Sequence, residues 1–403
     1  MKNILKNRFI AAVMWSFAWL ILPQLLPAQP PDTTAIKVRK WQINGYVKDL
    51  QTNQFTISPN SLITGSLVHH RFNFSWYPAT GFTFSAGLRN RLFYGEQVKY
   101  TPNFAQYIDV GNTLADLSEI WVEKNAVVIH SILDRLWAEY QTDKWSIRAG
   151  RQRINWGINL IWNPNDVFNN YNFLDFDYEE RPGSDAIRVQ YFTSGFSEAD
   201  VAIAPAKTWN GYTAAARYGF NQWGYDVQLL AGKYKTDVFL GAGWAGNLGN
   251  AGFKGEASYF QPYRQFTDTA GALSASVGAD YMFAKGWYIN GAALVNSSGA
   301  SSVNNLLQLF AFNLSPKSLM PTRYNFMFQT SKSFTPLIVG SAALLYSPNG
   351  HLLGILPSVS YNIALNWDAD LTGQFFFARF ENPSNFKSLG HAVYLRFKWS
   401  YGS

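Results

Sequence analysis

Six arginines fall on one face of alternating segments, and they are the first residues in this chain that could do chemistry. Phe72, Phe74 and Trp76 alternate with Arg71, Asn73 and Ser75, and Phe82, Phe84, Ala86 and Leu88 alternate with Thr83, Ser85, Gly87 and Arg89. Successive side chains of a strand point to opposite faces. Arg71, Arg89 and Arg91 therefore share the face opposite the apolar set, as do Arg135, Arg148 and Arg188 by the same parity. Glu256, Asp280 and Asp226 take that face on later segments. Rows of fixed opposite charge across a narrow aqueous space set up a transverse field that orients polar solutes. In a closed ring of eighteen strands Glu256 would face Arg71, and Asp280 would face Arg89 and Arg91. Mutual pairing that merely solvates an inner wall is the plainer role open to the same residues.

A second set of acids closes the stretch 143–183. It begins as a strand, with Trp145, Ile147 and Ala149 on one face and Ser146, Arg148 and Gly150 on the other. Regular alternation then gives way to an aromatic, Asn-rich loop carrying Asp166, Asp175, Asp177, Glu179 and Glu180. The segment 154–183 reads as a loop that narrows a pore. Its Trp156, Trp162, Phe168, Tyr171 and Phe173 either stack on sugar faces or pack the loop against a wall. Arg151 and Arg153 share parity with Trp145 and Ile147, so a bulge turns them inward or they sit at the external rim.

Catalytic chemistry finds little support. The histidines are His69, His70, His130, His351 and His391. His69 and His70 are adjacent, so on a strand they point apart and cannot chelate one metal. No Gly-x-Ser-x-Gly, HExxH or phosphate loop is present, and with no cysteine there are no disulfides, thiol nucleophiles or Cys-based metal sites. Ser388 and His391 form the one loose pair of the kind an interfacial lipase uses. No catalytic residue, metal or cofactor is expected.

Rigid alternating elements must hold these residues. Aromatics make up 17% of the 403 residues and charged residues 15%, with a mean hydropathy of −0.12. Globular proteins carry about a quarter charged residues, and beyond the N-terminus there is no apolar run of about 20 residues such as a membrane helix needs. Hydrophobicity hidden in period-two alternation predicts an all-β fold, a closed antiparallel transmembrane β-barrel. The alternation recurs in Leu273, Ala275, Val277, Ala279 and Tyr281 and again in Trp367, Ala369, Leu371, Gly373, Phe375 and Phe377. It gives about eighteen strands, with sixteen as the neighbouring option. Connections after even strands are all short, as periplasmic turns are. The long connections, at 51–65, 95–129, 154–183, 261–271, 297–321 and 380–388, all follow odd strands and are the external loops. Within 95–129, the spacing of Leu114, Leu117, Ile120 and Trp121 predicts a short helix over or inside the barrel mouth.

The N-terminus is an address. Lys2, Lys6 and Arg8 precede an apolar run, and Leu26-Pro27-Ala28 offers a cleavage site, so residues 1–28 read as a secretory signal peptide. A periplasmic leader, 29–40, and one barrel domain, 41–403, follow. Removing the three basic residues takes 33 to 30 against 26 acids, so the net charge falls from +7 to +4. No basic stripe of the kind that binds nucleic acid appears.

The signal peptide, the strand-and-loop rhythm and the final strand HAVYLRFKWSY together resemble bacterial outer-membrane β-barrels of the porin type. GRQRINWG followed by NPND resembles segments of substrate-selective porins and alginate-export-like barrels. The resemblance implies an outer-membrane location, with lipid around the wall. It also implies a loop, here 154–183, folded into the channel with its acids toward an arginine wall. The C-terminal strand would be read by the barrel-assembly machinery through Tyr401 or Trp399, although Gly402 and Ser403 follow where such barrels end on an aromatic residue. Monomer and homotrimer both stay open. The function expected is a channel for passive or substrate-selective diffusion of small polar or anionic solutes. A non-conducting barrel acting as receptor, adhesin or secretion-system partner is the alternative.

Overall fold

The computed structural model describes residues 39–57, 60–109, 114–170, 181, 183–193, 195, 197–301, 314–379 and 386–402. The expected signal peptide lies outside the described residues, as do most of the leader and Tyr171, Phe173, Asp175, Asp177, Glu179 and Glu180.

Alternation builds one sheet that closes on itself. Its first strands are β1 (Trp41–Ile57), β2 (Asn60–Trp76), β3 (Phe82–Gly95), β4 (Ser118–Lys124), β5 (Val127–Gln141) and β6 (Trp145–Gln152). β7 (Ser184–Phe192), β8 (Glu198–Ala204), β9 (Thr213–Gln222), β10 (Tyr225–Tyr234), β11 (Asp237–Leu248) and β12 (Ala251–Pro262) continue it. The ring is completed by β13 (Ala272–Met282), β14 (Trp287–Asn296), β15 (Tyr324–Ser333), β16 (Ile338–Ser347), β17 (Leu352–Ala364), β18 (Trp367–Ala378) and β19 (Lys387–Tyr401). Each wall strand pairs antiparallel with its neighbours, and β19 pairs with β1 from Gly45↔Tyr401 to Phe55↔His391. Closure satisfies every edge, a requirement for strands that cross lipid. β4 pairs only with β5, so the wall has eighteen strands, the number the sequence predicts.

Parity decides what faces out. On β18, Trp367, Leu371 and Phe375 point outward, whereas Asp370, Thr372 and Gln374 are buried on the inner side. At one end of the barrel the strands carry paired aromatics, among them Trp76 with Phe84 at 5.4 Å, Phe82 with Tyr140 at 4.6 Å and Trp145 with Tyr191 at 4.5 Å. Such amphipathic rings favour the lipid–water boundary. Tight turns gather at this end. Between β9 and β10 only Trp223 and Gly224 remain, both at positive φ (55° and 77°), as a type I′ hairpin requires.

Two expectations about the opposite end are corrected. The segment 51–65 is no loop: β1 and β2 stay in register up to Ile57↔Asn60. Its Gln, Thr and Asn residues hid the strand because it runs past the apolar band. The helix expected around Leu114–Trp121 is also absent. Residues from Ser118 onward add β4 to the free edge of β5, and the ladder bonds outweigh the helix-like spacing. The helices of this connection come earlier, as α1 (Glu96–Tyr100) and α2 (Phe104–Ile108). Val98, Phe104 and Ala105 from these helices pack against Val128 of β5.

Candidate functional site

The loop segment 153–170 turns into the barrel because one sector of the inner wall is small and apolar. Ile154, Trp156 and Val167 pack on Ala186, Ala202, Ala215 and Leu230 from β7 to β10. Ile161 and Trp162 pack on Ala292, Leu294 and Leu345 farther round. Gly241 and Gly243 on β11 permit close approach. A Cβ on Gly241 would stand 2.9 Å from Asn165 Oδ1, and one on Gly243 would stand 3.0 Å from both Asn165 Nδ2 and Ile158 Cδ1.

Polar bonds then fix the loop to that sector. Glu256 of β12, 1% exposed, accepts backbone N–H bonds from Ile158, from Asn159 at 2.6 Å and from Asn165 at 2.9 Å. Ser258 donates to Asn165 Oδ1 at 2.7 Å, Ser276 to the Trp162 carbonyl at 2.8 Å and Gln228 to the Trp156 carbonyl at 2.8 Å. Trp156 Nε1 donates to Asp200, which also pairs with Arg188 at 2.6 Å. A net hydrogen bond to a charged group is worth about 1.5–3 kcal/mol, so Glu256 alone is a firm anchor.

The remaining wall is left open and charged. A cavity of about 1300 Å³ lies on the loop-bearing side of the barrel. It is lined by His69, Arg89, Arg91, Asp134 and Arg151 from the wall and by Val167 to Asn170 from the loop. Lys48, fully buried, pairs in register with His69 and Lys398 on the same side of the ring.

Each arginine singled out in the sequence has a nearby partner. Arg71, 2% exposed, is ion-paired to Asp134, and Arg89 lies 3.2 Å from the same carboxylate. Arg91 meets His130 Nδ1 at 2.9 Å and donates to the Ile108 carbonyl at 3.0 Å, which ties α2 to the wall. Arg135 donates to the Asp134 and Arg181 carbonyls, each at 2.6 Å. Arg148 pairs with Glu139 at 2.8 Å over the Trp137 ring. Asp280 pairs with Lys254 at 3.5 Å on the adjacent strand. The expectation that Glu256 faces Arg71 does not hold, because the loop takes both Glu256 oxygens. Asp280, Arg89 and Arg91 are each held by a neighbour on their own side of the ring.

Asp134 escaped the sequence reading because parity breaks there. Gly87 pairs with Arg135 but Leu88 with Leu133, so Asp134 is an extra, bulged residue. Above the bulge Val128, His130, Ile132 and Asp134 are on the inner side; below it Arg135, Trp137 and Glu139 are. Arg151 has a different role. Its guanidinium reaches Asp185 at 2.7 Å, the Leu133 carbonyl at 3.1 Å and the Ala115 carbonyl, filling the slot where β4 ends and β6 begins along β5. Arg153 Nη2 donates to Asn155 within the loop stem.

Asp166, expected among the constriction acids, is 1% exposed rather than presented to the lumen. Burial, reinforced by the charge of Glu256, pushes its carboxyl up to about 8.

The histidines divide as parity requires. His69 lines the cavity, and His70 meets Tyr401 Oη at 3.0 Å on the other face. Ser388 Oγ does lie 2.8 Å from His391 Nε2. His391 Nδ1, however, is buried beside Phe375 and Phe377 with no hydrogen-bond partner among the described residues, so none of these orients the ring as a base. Among the described residues no cluster of three or more His, Cys, Asp or Glu could hold a metal.

A closed eighteen-strand barrel with a loop segment folded against its inner wall is a fold found among solved outer-membrane proteins. No family model and no curated protein sequence matches the chain. Among solved structures it is similar to OpdK from Pseudomonas aeruginosa, with a TM-score of 0.56 at 9% identity over 90% of this chain and 98% of that one. It is also similar to OccAB1 from Acinetobacter baumannii, with a TM-score of 0.57 at 8% identity over 90% of this chain and 97% of that one. A structure of Pseudomonas aeruginosa OpdK with vanillate matches at 0.55 and 8% identity, over 90% of this chain and 98% of that one. At these identities the likeness is one of fold.

Proposed function

We propose that this protein is an outer-membrane channel through which small polar or anionic solutes diffuse selectively. One observation carries the reading: the inward loop covers the apolar sector of the inner wall and leaves open the sector that holds Arg89 and Arg91. Guanidinium groups held by neighbours keep their charge in a narrow aqueous space, where field lines focus and raise local anion concentration. The paired acids lower the net positive charge, so the selectivity is graded rather than absolute. OpdK was crystallised with vanillate, a small aromatic carboxylate, and a solute of that size and charge suits a cavity of about 1300 Å³.

Orientation follows from the connections, with tight turns periplasmic and long loops external. The apolar outer wall meets lipid, and β19 carries the aromatic ends, Trp399 and Tyr401, that the assembly machinery would read.

Liposome swelling tests the function directly. Vesicles containing the refolded barrel should swell faster in small carboxylate salts than in neutral sugars of equal size. Equal rates, or none above protein-free vesicles, contradict it. The α1–α2 segment in the mouth supports the non-conducting alternative. In that case swelling is absent although the barrel is folded.

A further inference from the structure

The constriction loop is held by one carboxylate and accompanied by another that has nothing to hold. Glu256 takes three loop N–H groups. Asp166 stands beside it in the same anchor, 1% exposed, and both of its carboxyl oxygens are buried without a hydrogen-bond partner among the described residues. The backbone N–H of Trp156 faces it and favours the charged form, but burial outweighs that contribution. Asp166 also borders a small cavity of about 10 Å³ with Ile161, Asn163 and Leu319. An ionised carboxylate cannot be kept in such a place without compensation.

We propose that Asp166 and Glu256 form a carboxyl latch: neutral Asp166 lets the loop seat on Glu256, and charging Asp166 releases the loop and widens the pore. The proposal rests on the channel reading for its consequence, but the latch itself is a property of the loop.

The charged groups around Asp166 set the direction. Glu256 faces it from β12, and Arg153 and Arg181, from the two stems of the loop, supply opposing positive charge. Seated, Asp166 keeps its proton up to about pH 8; released into water, it loses the proton near its ordinary value of 3.8. The seated state therefore binds the extra proton. Seating is strongest in acid, weakens as pH rises between those two values, and levels off above about 8. Asn at position 166 mimics the neutral acid and should keep the loop seated throughout.

The test uses the absence of cysteine from the chain. Ile161 is buried on the wall by the seated loop. I161C is prepared with and without D166N, and its labelling by a small charged thiol reagent is followed from about pH 5 to about pH 9. The D166N background removes the thiol's own pH dependence. The labelling rate with Asp166, relative to that with Asn, should rise at least several-fold with pH and then flatten. A ratio that stays flat overturns the latch. Single-channel conductance provides the second readout: wild type should spend more time in a wide state as pH rises, and D166N should not. A folded barrel that conducts nothing but shows the labelling change contradicts the channel and upholds the latch. Conductance that widens equally in D166N overturns the latch and upholds the channel.

Discussion

Asp134 and Arg89 stand 3.2 Å apart on neighbouring strands, and a single bulged residue in β5 brings them together. The same carboxylate holds the buried Arg71. Removing one partner of a buried pair leaves an uncompensated charge, which costs about 3–5 kcal/mol. Asp134→Asn should therefore lower barrel stability by about 3 kcal/mol in a urea titration in lipid. The surviving folded fraction should become more anion-selective, because Arg89 loses its counter-charge. Unchanged stability would mean that the two arginines find other partners.

Gly241 is the contact that a side chain would spoil. Gly241→Val places a branched side chain where Asn165 Oδ1 and Ser258 Oγ stand, at 2.9 and 2.8 Å from a Cβ. The barrel should tolerate it at a cost of about 1–3 kcal/mol, while the loop is pushed from its seat and the single-channel conductance increases. A conductance equal to wild type would show that the loop adapts in place.

Arg151 seals the junction of β4, β5 and β6 through Asp185 and two carbonyls. Arg151→Ala should release β4 without opening the wall, since β4 belongs to no second ladder. Hydrogen exchange at Ser118–Lys124 should accelerate at least tenfold, with protection of β7 to β19 unchanged. Global loss of protection would instead make Arg151 part of the wall's own stability.

Tyr401 fastens the seam where the ring closes. Its hydroxyl donates to the Arg71 carbonyl at 2.8 Å and meets His70 Nε2 at 3.0 Å. Tyr401→Phe removes both bonds and should cost about 1 kcal/mol, read as a faster unfolding rate in denaturant. An unaltered rate would mean that closure depends on the β1–β19 ladder alone.

The strand count and the faces of most residues were legible in the sequence because lipid outside and water inside impose a period of two on every crossing. Arg89 lines the cavity, and Arg188 shares Asp200 with Trp156 of the loop. Three features were not legible. Asp134 is hidden by its bulge, since one extra residue reverses the parity of half a strand. β4 is hidden because edge pairing depends on where β6 leaves β5. The seat of the loop was visible only in retrospect, as a run of small inward residues, Ala186, Ala202, Ala215, Gly241, Gly243 and Ala292, where a water-filled wall would carry polar ones. Glu256 accepts N–H groups of the loop, which the sequence did not reveal: parity gives the side of a wall but says nothing of what is placed against it.

Reversal potential in planar bilayers under a salt gradient, recorded with single-channel conductance, tests the central claim most directly. Wild-type protein should conduct steadily and prefer anions, and the preference should fall when Arg89 and Arg91 are both changed to Ser in a barrel that still folds. Anion preference that survives the double change, or a folded barrel without conductance, would contradict an arginine-walled channel.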